Sequence, residues 1–98
     1  MTDQPTDWPA AAFALAKMDG AERDKESARL NTLWKAEYIA AFVAYAVSRK
    51  SRKWTRENAK TWAAQIVDDA LNYGDGADPL KVARGDVLEC EREARNAG

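Results

Sequence analysis

Apolar residues along this chain recur at three- and four-residue intervals, the spacing of one helical face, and no stretch alternates with the two-residue period of a strand. The clearest stripe is Ala59, Trp62, Ala63, Ile66, Ala70 and Tyr73, widened by Val67 and Leu71. It predicts a helix from about Arg56 to Tyr73. Thr55 is placed to cap it, Glu57 suits the positive end of the helix dipole, and Gly74 can stop it. Upstream, Leu30, Trp34, Tyr38, Ala41 or Phe42 and Tyr45 mark one face of a helix running from about Ala21 to Arg49. Ile39, Val43 and Val47 mark a second face of the same helix. A helix apolar on two sides is central in a bundle or shared with a partner chain. Asn31 and Thr32 prefer caps to helix interiors, so a bend at Leu30–Thr32 is the alternative to one continuous helix. The opening "AERDKESAR" is charged, with opposite signs spaced to support an exposed helix.

Two shorter helices flank this pair. The first is expected from Pro9 to Met18, capped by Asp7 or Thr6 and ended by Gly20, with Phe13 and Leu15 as its main apolar groups and Trp8 at its entrance. The last follows the loop "YGDGADP", with Asp78 as cap and Pro79 in the first turn, and runs from Leu80 to about Arg95. Gly85-Asp86 is expected to interrupt it. Leu80, Ala83, Val87, Leu88 and Ala94 are its inward positions. Residues 1–6 and 96–98 offer nothing to bury and are expected to fray. The pattern as a whole predicts a single all-α domain over residues 1–98, a small bundle of three to four helices with a long central helix.

Composition narrows the function more than the fold. The 98 residues are 46% hydrophobic and 32% charged, which suits a globular domain rather than a disordered chain. Net charge is -1, so no global field draws the protein to nucleic acid or to a membrane. The longest apolar run, Tyr38 to Val47, is too short to span a bilayer, which takes about 20 residues. "MTDQPTDWP" is acidic and polar, unlike a signal peptide. One cysteine allows no internal disulfide, and the composition suits a reducing cytoplasm. There is no histidine, which removes the commonest metal ligand and the commonest general base near neutral pH.

Charge is uneven along the chain. Residues 1–56 hold ten Lys and Arg against seven Asp and Glu, and residues 57–98 hold five against nine. Much of the basic excess lies in "SRKSRKWTREN", where Arg49, Lys50, Arg52, Lys53 and Arg56 surround Trp54. Cations just before a helix start can converge on phosphate, and a tryptophan can stack on a base. The same composition fits an acidic protein partner, and it also fits a solvated connector whose cations suit the end of the preceding helix. A helix-turn-helix is disfavoured, because the central helix is too long and Asp68 and Asp69 would repel phosphate.

Candidate reactive groups are scattered. Asp68 and Asp69 are neighbours on a helix, diverge by about 100°, and cannot converge on one ion. Asp75 and Asp78 lack the ligand order of a calcium loop and read as turn and cap residues. Cys90 has no CxxC partner, and Glu89 and Glu91 beside it disfavour a thiolate. No catalytic residue, metal ligand or cofactor motif is assigned, and the expected function is not enzymatic. The aromatic content points to contact surfaces instead. Core packing is the reading for Trp34, Trp62 and Phe42 and the better one for Trp8, while core and interface are both open for Trp54.

The segment "GDGADPLKVARGDVLECER", Gly74 to Arg92, resembles C-terminal segments of small stand-alone all-helical accessory proteins of bacteriophages and mobile elements. That resemblance implies a protein that binds and blocks a host factor, anti-CRISPR inhibitors among them. Together the readings lead to a non-catalytic module that occludes a surface on a larger protein or ribonucleoprotein complex. Its contact residues are expected to be Arg49, Lys50, Arg52, Lys53, Trp54 and Arg56, facing an acidic surface, with the charged face of the central helix (Glu22, Arg23, Lys25, Glu26, Arg29) second. A nucleic-acid-binding protein using the same cluster is the alternative. A homodimer through the central helix is also compatible with its two apolar faces.

Overall fold

The computed structural model describes residues 6–49 and 54–97, with side chains described as far as Glu93. Among them are four α-helices and no strand: α1 (Trp8–Ala16), α2 (Gly20–Ser48), α3 (Arg56–Ala70) and α4 (Pro79–Ala97). A 3₁₀ turn at Tyr73–Asp75 links α3 to α4. The long central helix is α2, and α3 and α4 both pack on it rather than chiefly on each other.

α2 is one continuous helix from Gly20 to Ser48. Thr32 satisfies its hydroxyl by donating to the Ala28 carbonyl one turn back, so the Asn-Thr pair does not break the ladder. Its buried stripe is Leu30, Trp34, Tyr38, Phe42 and Ala46, with Val43 beside it. The Trp34 and Tyr38 rings stack 5.4 Å apart and 15° from parallel, and Tyr38 meets Phe42 at 6.0 Å. Burying each large side chain in this column stabilises by about 1.5–3 kcal/mol.

Small residues fill the space opposite. α3 presents Ala59, Ala63 and Val67, and α4 presents Ala83 and Val87, all buried. Large side chains on one helix against small ones on its neighbours let the axes approach and leave no voids. Three polar bonds fix the register. The Trp34 indole donates to the Ala77 carbonyl at 2.9 Å, the Tyr38 hydroxyl donates to Asp86 at 2.5 Å, and Ser27 and Tyr73 share a hydroxyl bond at 2.6 Å. α1 is held over the loop by Glu37, which accepts from the Thr6 hydroxyl and the Trp8 indole, so Thr6 is tied in place. Trp8 is buried.

Several local expectations are corrected. Gly20 does not end α1, which stops at Ala16; it opens α2 at φ 63°. Gly74 does not end α3, because Leu71 has already left helical geometry at ψ 120°. The left-handed residue is Gly76, at φ 75°, where the loop presses on the first turn of α1: a Cβ there would lie 2.9 Å from the Pro9 Cα. Gly85 does not interrupt α4, which is continuous through it. The interior of a tightly packed helix tolerates one glycine at a cost of about 1 kcal/mol. Leu80 and Leu88 are half-exposed rather than inward, and Phe13 is 64% exposed with Lys17 over its ring. The Ala94 side chain and the 1–5 and 98 ends lie outside the described residues. Asp7, Thr55 and Asp78 cap their helices as expected, Thr55 in a reciprocal box with Asn58.

Candidate protein-binding surfaces

Of the basic cluster, Lys50, Arg52 and Lys53 lie outside the described residues. The other three do not form one surface. Arg49 closes α2 and donates through Nε to both oxygens of Glu91 on α4, at 2.7 and 2.8 Å. The Glu91 hydrogen bond is the leading reason its already high pKa rises further. Trp54 donates to the same carboxylate at 3.0 Å, and its ring meets Phe42 edge-on at 5.5 Å. Glu91 therefore gathers the exit of α2 and the entry of α3 onto α4. Trp54 is partly buried and packs against the core. Tyr45 lies between two guanidinium groups, Arg49 and Arg84, each 5.6 Å from its ring.

Arg56 belongs to a different feature. With Lys60 it borders a shallow groove between α2 and α3, floored by Ala36, Ile39, Ala40, Val43 and Ala44. The groove is small-residue, apolar and basic at one edge. The charged opening of α2 is exposed, with Arg29 bonded in-helix to both oxygens of Glu26.

The most distinctive surface is one that the sequence analysis did not assign. α3 and α4 diverge from their shared seat on α2 and leave a cleft of about 310 Å³. Trp62, Ile66, Asp69 and Ala70 line it from α3, and Asp86, Glu89, Cys90 and Glu93 line it from α4. Trp62, expected in the core, is 44% exposed and is the correction with the largest consequence. Ala59, Ala63 and Val67 face α2, which turns Trp62 to the side of the helix. Its indole donates to the Cys90 sulfur at 2.8 Å, tying the ring to the cleft floor. The Cys90 thiol is pushed above its ordinary value first by burial. The carboxylates of Glu93, Asp86 and Glu89 add to that shift, and the indole hydrogen bond opposes it.

The carboxylates diverge as their helical spacing requires. Asp68 reaches back to Lys35 on α2 at 2.6 Å, while Asp69 lines the cleft. Asp86 accepts from Tyr38, and among the described residues Glu89 makes a long, exposed contact of 3.7 Å with Arg92. Among the described residues, no group of three or more Cys, Asp or Glu side chains is close enough to hold a metal ion. No described helix is long and apolar enough to cross a membrane. The signal for the cleft was present in the sequence as two short stripes, Trp62-Ile66-Asp69 and Asp86-Glu89-Cys90-Glu93. Only the packing of both helices on α2 places them face to face. No family model, no curated protein and no solved structure matches the chain, so its surfaces stand as the grounds for a functional reading.

Proposed function

We propose that this protein is a non-catalytic protein-binding module that acts by covering a surface of a larger protein or complex, with the α3–α4 cleft as its contact face. The observation that carries the reading is the half-exposed Trp62, anchored by its hydrogen bond to Cys90 and backed by Ile66 and Ala70. A rigid, partly exposed tryptophan over an apolar floor with a polar rim is the composition of an interface hot spot. The thiol in the cleft supports binding rather than nucleophilic chemistry, because burial and carboxylates hold its proton. Blocking a host factor, the mode implied by the phage-type resemblance, needs nothing beyond such a face.

A second reading uses the α2–α3 groove. Arg56 and Lys60 at its edge favour an acidic protein partner. The nucleic-acid alternative has less support, since Trp54 is turned onto Phe42 and Arg49 is paired with Glu91. Affinity capture from cell extract tests all three, comparing the natural protein with Trp62→Ala and with Arg56→Glu/Lys60→Glu. The cleft reading expects the partner to be lost with Trp62→Ala alone. Loss with the double variant alone assigns the α2–α3 groove, equal recovery from all three contradicts both surfaces, and a gel shift with DNA or RNA at low salt favours the alternative.

A further inference from the structure

We infer that the α3–α4 cleft receives a cationic amphipathic helix from its partner; this rests on the binding reading above and names its ligand. The argument begins with charge. The charged side chains of the cleft wall are all carboxylates, Asp69 on one side and Asp86, Glu89 and Glu93 on the other, and no Lys or Arg lines it. No described ion pair or hydrogen bond engages Asp69 or Glu93, and Arg92 touches Glu89 only at 3.7 Å. A low-dielectric floor between like charges focuses their field outward, which selects a cation and speeds its encounter.

The floor supplies the second term. Trp62, Ile66, Ala70 and Cys90 are apolar, and desolvating them requires an apolar face on the ligand. An ammonium or guanidinium laid on the Trp62 ring adds a cation–π contact. Free amino acids or simple cations satisfy only the charge, so the ligand carries both characters.

The third term is shape. The described fold has no strand, so an incoming chain finds no sheet edge to extend. Two helices splayed on a third leave a groove that a further helix fills by ordinary ridge packing. The carboxylates are spread rather than convergent. Asp86 and Glu93 are seven residues apart on α4, about 10 Å along its axis at 1.5 Å per residue. A partner helix with lysines or arginines two turns apart matches that row, and its leucine face covers Trp62 and Ile66.

The test uses the full chain, isotopically labelled, and two synthetic helical peptides at physiological salt. One carries leucines on one face and lysines and arginines beside them; in the other, glutamates replace those cations. The expected result is that the cationic peptide shifts the Trp62 indole and Ile66 amide resonances. Asp69→Asn/Glu93→Gln should weaken it about tenfold while leaving the helical spectrum unchanged, and Trp62→Ala should weaken it about thirtyfold. The inference is overturned by equal binding of the anionic peptide, by shifts confined to the α2–α3 groove, or by a double carboxamide variant that binds like the natural protein. It is equally overturned if sedimentation shows a dimer of the natural protein that Trp62→Ala returns to a monomer. Failure of both peptides while Trp62→Ala still loses the natural partner removes the cationic helix and keeps the binding module. Retention of that partner by Trp62→Ala removes both.

Discussion

Replacing Tyr38 by phenylalanine deletes one hydroxyl from the centre of the bundle and leaves the ring. The stack on Trp34 and the contact with Phe42 persist, so little apolar burial is lost. What disappears is the 2.5 Å bond to Asp86, the buried-side polar tie between α2 and α4 beside the exposed Arg49–Glu91 pair. A hydrogen bond to a charged acceptor is worth about 1.5–3 kcal/mol. Asp86 is only half-buried on the cleft side and can turn to water, which lowers the expected loss to about 1–2 kcal/mol. For a domain of this size that is a fall in Tm of about 5–12 °C. Chemical denaturation of Tyr38→Phe, Asp86→Ala and the double variant measures it, with an expected coupling of about 1–2 kcal/mol. Alkaline titration gives an independent readout. Burial first, and then Asp86, raise the Tyr38 pKa above its ordinary 10.0. A raised folded-state pKa contributes stability fully present below pH 10 and lost as pH climbs through the folded value. The natural protein therefore loses more stability at high pH than Tyr38→Phe does. A variant as stable as the natural protein, or coupling below about 0.3 kcal/mol, refutes the tie.

Other outcomes follow from the same geometry. Gly85→Ala should stabilise by about 0.5–1 kcal/mol in denaturant melts, because α4 is continuous there and a Cβ meets nothing within 4 Å. Gly76→Ala should destabilise more than Gly20→Ala, since both bear a left-handed cost of about 1–2 kcal/mol but only Gly76 also presses on the Pro9 backbone. Thermal melts of the two variants rank them. Cys90 should alkylate slowly at neutral pH and speed up only toward and above its ordinary 9.0, because its thiol pKa is raised. A burst of labelling at pH 7 counts against that environment.

How much of this was legible in the sequence depended on whether one helix or several decided a position. The period of Leu30, Trp34, Tyr38 and Phe42 lies within one element, and it correctly marked α2 and its buried face. Caps are equally local: Thr55 and Asp78 were readable from residue type and position, and Asp7 was one of two candidates with Thr6. Trp62 lies off the core because a single stripe does not say which of its members a neighbour has room for. The bulk of Trp34, Tyr38 and Phe42 makes alanines the fitting partners on α3, and the larger ring is displaced to the flank. Gly85 does not break α4 because propensity yields to packing, and Gly74 falls beyond an end already set at Leu71. The role of Glu91 was hidden for a different reason: it accepts from Arg49 and Trp54, which lie about forty residues upstream. Nothing local marks such a partner.

The central claim, that the α3–α4 cleft is the contact face, has a built-in reporter. Cys90 is the only cysteine in the chain and sits on the cleft floor. The direct measurement is its alkylation rate, by mass spectrometry, in the free protein and in the complex with the captured partner. An occupied cleft slows the reaction by about tenfold or more, the change expected when a closed state excludes reagent by about 1.4 kcal/mol. An identical rate in the two states would show that the partner sits elsewhere and would contradict the account.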